Sequence, residues 1–280
     1  MISPPSLQLP LSGSKDLSFV HLHVHSEYSL LEASCKVSSL VKKAGEFKMP
    51  ALALTDQGNM FAAIEFYFAA LGAGVKPIVG LDAFLAQNSR HQKTVEPTRK
   101  LTLLAQNYEG YQTLCKLSSI GYQEGFYYRP RLDYECLSQH NSNILVLSGA
   151  NDGEIPQTFL QQGADAAIEK IKRLKSIFGD RFYLEILRPL IPIWNDINAI
   201  LLQAGRDLGV ACVATNDVYY LEKDDRMAQE VLLCIGTNKT IQDESRPRLL
   251  SDQFWFKSSE QMQVLFSDIP EVLARTSEIA

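Results

Sequence analysis

Residues 19–26 read Phe-Val-His-Leu-His-Val-His-Ser, in which His21, His23 and His25 alternate with apolar residues. This alternation is typical of a β-strand, whose successive side chains point to opposite faces. We therefore expect the three imidazoles on one side, about 6.6 Å apart. Imidazole binds zinc, manganese and iron, so two of these histidines could hold one metal ion. Structural histidines that form hydrogen bonds at a strand end are the alternative.

Short apolar runs alternate with amphipathic segments along the rest of the chain, which is typical of an α/β protein built from βα units. Besides 19–25, the apolar runs predict strands at 51–55, 76–86, 100–105, 144–147, 182–186 and 211–215. Helical spacing of apolar residues predicts helices near 37–44, 64–71, 111–120, 164–178, 194–208 and 226–234. Seven strands without an internal repeat favour a distorted (β/α)7 barrel with a mostly parallel sheet; an open doubly wound sheet is the alternative.

Three segments are expected along the chain. Residues 1–18 are rich in Ser, Pro and Leu without periodicity and predict a flexible leader, and 19–250 would form the barrel. Residues 251–280 predict a C-terminal extension with a short strand and two helices. Its helical pattern reaches the last residue without a C-cap glycine, which is typical of a chain cut from a longer one.

Composition argues against several classes of protein. The five cysteines are scattered without a C-x-x-C pair, which argues against disulfides and a cysteine-built zinc site. Without a signal sequence or a run of about 18 apolar residues, we expect a cytoplasmic protein with no membrane contact. A net charge of −5 disfavours a domain whose main task is to wrap nucleic acid.

One short basic segment could still contact phosphates or bases. Residues 126–131 read Phe-Tyr-Tyr-Arg-Pro-Arg, so Arg129 and Arg131 stand among aromatic rings that could stack on bases. The alternative is a structured loop whose arginines pair with acidic groups of the domain itself.

Aspartates follow the apolar runs of three predicted strands: Asp56 follows 51–55, Asp82 follows 78–81 and Asp217 follows 213–216. Each could simply cap a helix or form a turn. Because strand ends of a barrel meet at one rim, the three could instead share a site with the histidines.

The order of motifs resembles that of the PHP (polymerase and histidinol phosphatase) domain at the N terminus of bacterial DNA polymerase III α subunits. The similar segments are FVHLHVHSEYSLL (19–31), ALALTDQGNM (51–60), GVKPIVG (74–80), LTLLAQN (101–107), ATNDV (214–218) and DIPE (268–271). They extend over nearly everything after residue 18.

The resemblance implies a site for up to three metal ions that cleaves phosphoesters, of which only part is kept here. His23 and His25 match ligand histidines, Asp217 matches a ligand aspartate, and Asp82 replaces a ligand glutamate. These four resemble the complete set of ligands for one zinc or manganese ion, with Glu32 as a doubtful fifth residue because an aspartate is usual there. Alternatively, no metal binds and Lys100 places its ammonium where a cation once lay.

Four ligand positions of the family are lost. Gln57, Lys100 and Tyr219 stand where the family has histidines, and Ala150 stands where it has a cysteine. Alanine offers no ligand atom and a protonated lysine repels a cation, so the multinuclear cluster should not form.

The first hypothesis is therefore a non-catalytic scaffold of a replicative polymerase, with no catalytic residue expected in this chain. By the resemblance, it would support the polymerase core, which uses magnesium, and dock a proofreading exonuclease; DNA would be reached through the holoenzyme. The second hypothesis is an active metal-dependent phosphoesterase or 3′→5′ exonuclease. The third, a freestanding phosphatase, leaves the polymerase-like tail unexplained.

Overall fold

A computed structural model describes residues 18–95, 97 and 99–280, so nearly all of the predicted leader lies outside the described residues. Seven strands form one curled sheet: β1 (Ala51–Leu54), β2 (Lys76–Leu85), β3 (Arg99–Ala105), β4 (Arg131–Leu132), β5 (Ile144–Leu147), β6 (Phe182–Leu187) and β7 (Ala211–Thr215). Their order is β1-β2-β3-β5-β6-β7, with β4 paired to β2. The α/β fold with a distorted barrel is thus confirmed.

The sheet is less parallel than the sequence indicates, because β3 runs antiparallel to both β2 and β5. A parallel connection needs a long crossover, usually a helix. In the described part of the segment between β2 and β3 there is no helix, so the chain turns back and β3 pairs antiparallel with β2.

The histidine segment closes the gap between the two ends of the sheet. His21 O accepts a hydrogen bond from Ala53 N (2.9 Å), and Val24 O accepts one from Thr55 N (2.8 Å). On the other side, His25 N donates to Val218 O (2.9 Å). The segment is extended as predicted, but among the described residues it forms only one bridge, Val24 to Val218, rather than a regular strand.

The barrel interior has an apolar end and a polar end. The apolar end is formed by Val20, Leu22, Ala51, Ala53, Ile78, Leu104, Leu145, Leu147 and Val213. Because strand side chains alternate, inward positions recur at even spacings, and those nearer the other end are polar: Asp82 lies four residues after Ile78, Thr102 two residues before Leu104, and Glu185 two residues after Tyr183. The candidate site occupies this polar end.

Helices cover the outside of the barrel. They are α1 (Val37–Glu46), α2 (Ala63–Gly72), α3 (Tyr108–Gln123), α4 (Tyr134–Gln139), α5 (Glu154–Gln162), α6 (Ala164–Phe178), α7 (Ile193–Leu208), α8 (Arg226–Gly236), α9 (Ser259–Leu265) and α10 (Pro270–Ile279). Of these, α1, α3, α6 and α7 each bury an apolar face. Each of the six predicted helices is present. None of the helices in the described ranges is long and apolar enough to cross a membrane.

Candidate metal centre

Three predicted ligands meet at the polar end of the barrel. One ligand atom from each of His23, His25 and Asp82 lies within 4.8 Å of the others, and all three side chains are buried. Asp82 Oδ1 is 3.7 Å from His23 Nε2, and Asp82 Oδ2 is 3.3 Å from His25 Nε2. Ligands about 2 Å from a tetrahedral ion lie at comparable distances from each other, so this spacing suits one metal ion.

The hydrogen bonds of both histidines leave the same ring nitrogen facing Asp82. His25 Nδ1 lies 3.2 Å from the carbonyl oxygen of Val218, which can only accept, so Nδ1 carries the proton. His23 Nδ1 lies 2.9 Å from Glu185 Oε1. Metal-binding histidines usually make such a bond through the ring nitrogen that does not touch the metal. Nε2 of each ring is therefore placed to bind an ion.

Asp217 supplies the fourth predicted ligand from the turn after β7. Its Oδ1 lies 3.7 Å from both His23 Nε2 and His25 Nδ1. This oxygen is buried and has no hydrogen-bond partner among the described residues. Burial raises the pKa of the Asp217 carboxyl above its usual value, although both histidines and Lys100 oppose the shift. A buried carboxylate oxygen without a donor suits a cation. The group whose ligand atoms all lie within 4.8 Å of one another is nevertheless His23, His25 and Asp82, and Asp217 lies beside it, nearer to the Nδ1 than to the Nε2 side of His25. Three of the predicted ligands therefore fit one ion as placed, and Asp217 is a neighbouring acidic group.

The Lys100 ammonium lies beside the Asp82 carboxylate, which also faces the two histidines. Its Nζ lies 3.5 Å from Asp82 Oδ2 and 3.6 Å from Asp152 Oδ2. Burial opposes the charged form of Asp82, but Lys100 and the two neighbouring histidines hold the pKa of its carboxyl well below the usual range. Burial likewise opposes the Lys100 charge, but the acidic neighbours keep its pKa raised. The two groups form a buried ion pair.

Glu185 is a site residue that the sequence analysis missed. It lies on β6, is fully buried, and bonds His23 through one oxygen while the other has no partner among the described residues. Burial opposes a charged His23, but Glu185, Asp217 and Asp82 raise its pKa well above the usual value. The only signal was a lone acidic residue inside the apolar run of β6, FYLEIL.

His21 does not join the other two histidines, so the prediction of three imidazoles on one side is wrong. Leu22 packs with the residues of the apolar end of the barrel interior, whereas Val24 packs in the separate, larger apolar core. In a regular strand both would face the same side, so the alternation breaks at the bend at His23. His21 instead stacks on Phe256, with ring centroids 4.3 Å apart. Burial lowers its pKa to about 3, despite a hydrogen bond to Lys257 O.

Asp56 is likewise separated from the centre. Its carboxylate accepts hydrogen bonds from the Ser26 backbone, the Ser26 hydroxyl and the Ser29 hydroxyl, each 2.7 Å long. These bonds fix the loop after the histidine segment. Asp56 therefore has the local structural role that the sequence left open as the alternative.

The four positions at which the sequence predicts a lost ligand lie beside the centre or in the apolar core. Gln57, Lys100 and Tyr219 line a cavity of about 300 Å³ that also includes Asp217 and Glu32. The Tyr219 ring stacks on His25 at 4.5 Å, and Gln57 Nε2 lies 3.5 Å from the Tyr219 hydroxyl. Ala150 packs in the apolar core. A large ring and an ammonium thus occupy the space beside the remaining ligands.

Glu32, Arg129 and Arg131 lie apart from the ligand group. Arg129 pairs with Glu32 at 2.6 Å at the edge of the cavity and lies over the Phe84 ring. The Arg131 guanidinium is buried and donates to the backbone oxygens of Gly125, Arg90 and Gln92. Arg131 thus holds the surrounding loops through its hydrogen bonds, and Arg129 forms an ion pair with Glu32. This is the alternative that the sequence left open, in which the arginines bond groups of the domain itself.

Lys257, whose backbone oxygen bonds His21, is a buried lysine whose lowered pKa can be tested by the pH dependence of stability. Its side chain is 2% exposed, and burial lowers its pKa to about 7, with Asp252 opposing and Lys223 adding to the shift. Between about pH 7 and pH 10 the unfolded chain keeps a proton that the folded chain loses, so the free energy of unfolding rises with pH. Relative to Lys257→Met, the native protein should gain about 2 kcal/mol between pH 7 and pH 9 in urea titrations. A constant difference between the two proteins would contradict the shifted pKa.

Comparisons with known proteins agree on one family. The PHP domain profile matches residues 21–189. The DNA polymerase III subunit alpha of Borreliella burgdorferi is 42% identical over 266 residues, covering 94% of this chain and 23% of that protein. The same subunit from Thermus aquaticus is 41% identical over 278 residues, covering 96% and 23%. The chain thus spans about a quarter of the length of these curated relatives.

Among solved structures, an amidohydrolase from Chromobacterium violaceum, solved with bound sulfate and no metal, superposes with a TM-score of 0.50. The match is 11% identical and covers 72% of this chain and 88% of that one, so it concerns the fold alone. From the profile, which covers more than half of the chain, and from the relatives, we conclude that this chain belongs to the PHP domain family, as represented at the N terminus of DNA polymerase III α subunits.

Proposed function

We propose that this chain is the PHP domain of a replicative DNA polymerase III α subunit, and that it acts as a non-catalytic scaffold. The observation that carries the proposal is the Lys100–Asp82 ion pair inside the cleft. An internal ammonium beside the ligands opposes a second metal ion through direct charge repulsion. The centre therefore holds at most one divalent ion, zinc or manganese, which stabilises the fold.

The residues that would hold this ion are His23, His25, Asp82 and Asp217. A bound ion would act as a Lewis acid and could lower the pKa of a coordinated water. Two of the surrounding groups work against hydrolysis. Tyr219 covers one face of His25, and Glu185 is occupied in orienting His23. With Gln57 and Ala150 at positions where the family has ligands, too few ligands remain to hold a second ion that would stabilise a leaving oxygen.

The partners follow from the relatives, which are polymerase III α subunits. In the parent protein this domain would support the polymerase core, which would bind its own magnesium, and would dock the proofreading exonuclease. DNA would be reached through the assembled holoenzyme in the cytoplasm. The isolated domain should give no template-directed nucleotide incorporation.

A second candidate is an active metal-dependent phosphoesterase or 3′→5′ exonuclease. The observation that favours it is the cavity of about 300 Å³ over the centre, which has Lys100 and Arg248 in its wall. Two cationic side chains near a metal centre suit a phosphodiester. The missing ligands make this the weaker of the two proposals.

Metal content and cleavage distinguish the two proposals in one experiment. Elemental analysis of tag-free protein should give zero or one ion per chain. Phosphatase and exonuclease assays with added manganese, zinc or magnesium should show no cleavage. Two or three ions per chain, together with cleavage that His23→Ala abolishes, would overturn the scaffold proposal and support the exonuclease.

A further inference from the structure

Residues 253–257 lie beyond the matched part of the PHP profile and contain none of the predicted ligands, yet they run directly alongside the turn that carries Asp217. Tyr219 N donates to Phe254 O (2.9 Å), and Phe256 N donates to Tyr220 O (3.2 Å). Tyr220 and Trp255 form an isolated bridge. This short segment is therefore part of the wall of the metal centre.

Asn216, the residue before Asp217, is held by this segment through three hydrogen bonds. Its Nδ2 donates to Trp255 O (2.7 Å) and to Gln253 O (3.3 Å), and its Oδ1 accepts from Lys257 Nζ (3.1 Å). Lys257 Nζ also donates to Gln253 O. Every hydrogen-bonding atom of the Asn216 amide thus has a partner, and the amide has one fixed orientation.

Lys257 is an unusual residue to find here, because a buried ammonium is costly without an anionic partner. Its side chain is 2% exposed and lies over the Trp255 ring at 4.8 Å. No carboxylate within the described ranges lies within 4 Å of Nζ. The ammonium instead donates its hydrogen bonds to Asn216 Oδ1 and to a backbone oxygen. This suggests that Lys257 fixes the turn that carries Asp217.

The turn needs such support because Asp217 has a left-handed backbone, with φ at 50°. Residues other than glycine adopt this region only at some cost in free energy. Val218 N donates to His23 O (3.2 Å), which ties the other side of the turn to the histidine segment. Release of Asn216 would let Asp217 relax toward a commoner conformation, away from His23 and His25.

His21 completes the connection, and this gives the third histidine of the motif a role. Its Nε2 lies 2.8 Å from Lys257 O, a carbonyl that can only accept, so Nε2 is the donor. Its ring also stacks on Phe256. The histidine segment therefore holds Lys257 from one side while Lys257 holds Asn216 on the other.

We propose that Lys257 is a positioning residue for Asp217: anchored by His21, it fixes Asn216 and thereby keeps the Asp217 carboxylate facing the two ligand histidines. This inference rests on the proposed single-metal centre for its effect on metal affinity. Its effect on the Asp217 turn exists with or without a metal, so the two can be tested separately.

The test compares Lys257→Met with Lys175→Met. Lys175 is a matched control because its Nζ also donates to backbone oxygens, those of Leu208 and Gly209, at the far end of α7. Hydrogen exchange followed by mass spectrometry on metal-free protein should be at least tenfold faster in Lys257→Met over peptides spanning 216–219. The control should leave those peptides unchanged, and circular dichroism should show that both variants are folded.

Metal affinity gives the second measurement. Calorimetric titration with Zn²⁺ or Mn²⁺ should show binding to Lys257→Met weakened about tenfold or more, as expected for loss of an outer-shell contact. Because Lys257 acts through Asn216, the double variant Lys257→Met/Asn216→Ala should be no weaker than Asn216→Ala alone.

The outcomes separate the two ideas. A native protein that binds no metal, with faster exchange in Lys257→Met, would refute the single-metal centre and keep the positioning role. Unchanged exchange at 216–219 in a folded Lys257→Met variant would overturn the positioning role whatever the metal content. If the native protein does bind a metal, equal affinity of Lys257→Met for that metal would overturn the positioning role as well.

Discussion

Asp82→Asn should lower the free energy of unfolding of the metal-free domain by about 3–5 kcal/mol, because it leaves Lys100 as a buried charge without its nearest partner. The substitution keeps the size of the side chain, so the loss reports charge rather than packing. Both partners are almost completely buried, which removes the screening that weakens surface pairs. Urea denaturation in the presence of a chelator would measure the change.

The double variant Asp82→Asn/Lys100→Met is the decisive comparison. Replacement of Lys100 by an apolar side chain removes the uncompensated charge, so at least half of the lost stability should return. Glu169→Gln, which breaks the exposed pair with Lys172, is the control and should change stability by less than about 1 kcal/mol. Equal stability of the single and double Asp82 variants would show that Lys100 does not depend on Asp82.

Gly110→Ala should destabilise the domain by about 2–3 kcal/mol, because the added methyl group has no room. A Cβ at Gly110 would lie 2.0 Å from Asn143 O and 3.3 Å from Ala105 Cα, both backbone atoms. Asn143 O also accepts a hydrogen bond from Gln106 N, so it cannot move without breaking that bond. The first turn of α3 would have to separate from β3 and from the loop before β5.

Gly72→Ala is the matched control and should have the opposite sign. Gly72 is also in a helix, and no heavy atom of its surroundings in the described structure lies within 4 Å of the added Cβ. Here alanine reduces the entropy of the unfolded chain and should stabilise the fold by about 0.5–1 kcal/mol. Thermal unfolding of the two variants side by side tests the comparison. Destabilisation by both would mean that helix context, rather than the contact with Asn143, dominates.

The domain's stability and its proposed function are linked through the same buried charges. Lys100, Asp82, Glu185 and His23 form a set in which each charge has an opposite neighbour within 4 Å. Because these side chains neutralise one another, the centre can remain folded without a full metal cluster. A domain that acts as a scaffold needs this stability.

Local pattern was enough to find most of the strands and most of the helices, although α4 and α5 were not predicted. The set of four possible ligands came from the family resemblance. Alternation and apolar runs depend on neighbouring residues, so they predicted β5 and β7 at their observed bounds. They also singled out His23, His25 and Asp217 near strand ends and Asp82 inside the strand that became β2. The approach of His23, His25 and Asp82 to one point agrees with the expectation that strand ends in a barrel meet at one rim. The same argument included His21 and Asp56, and it was the family resemblance that excluded them.

Only the tertiary structure decided the direction of β3, the separation of His21 and the roles of Glu185 and Lys257. The break in alternation coincides with a bend at His23, in a segment that bonds β1 on one side and Val218 on the other. Glu185 and Lys257 act on residues more than 40 positions away in the chain, His23 and Asn216. Local spacing carries no information about such partners, because the barrel must close before these side chains meet.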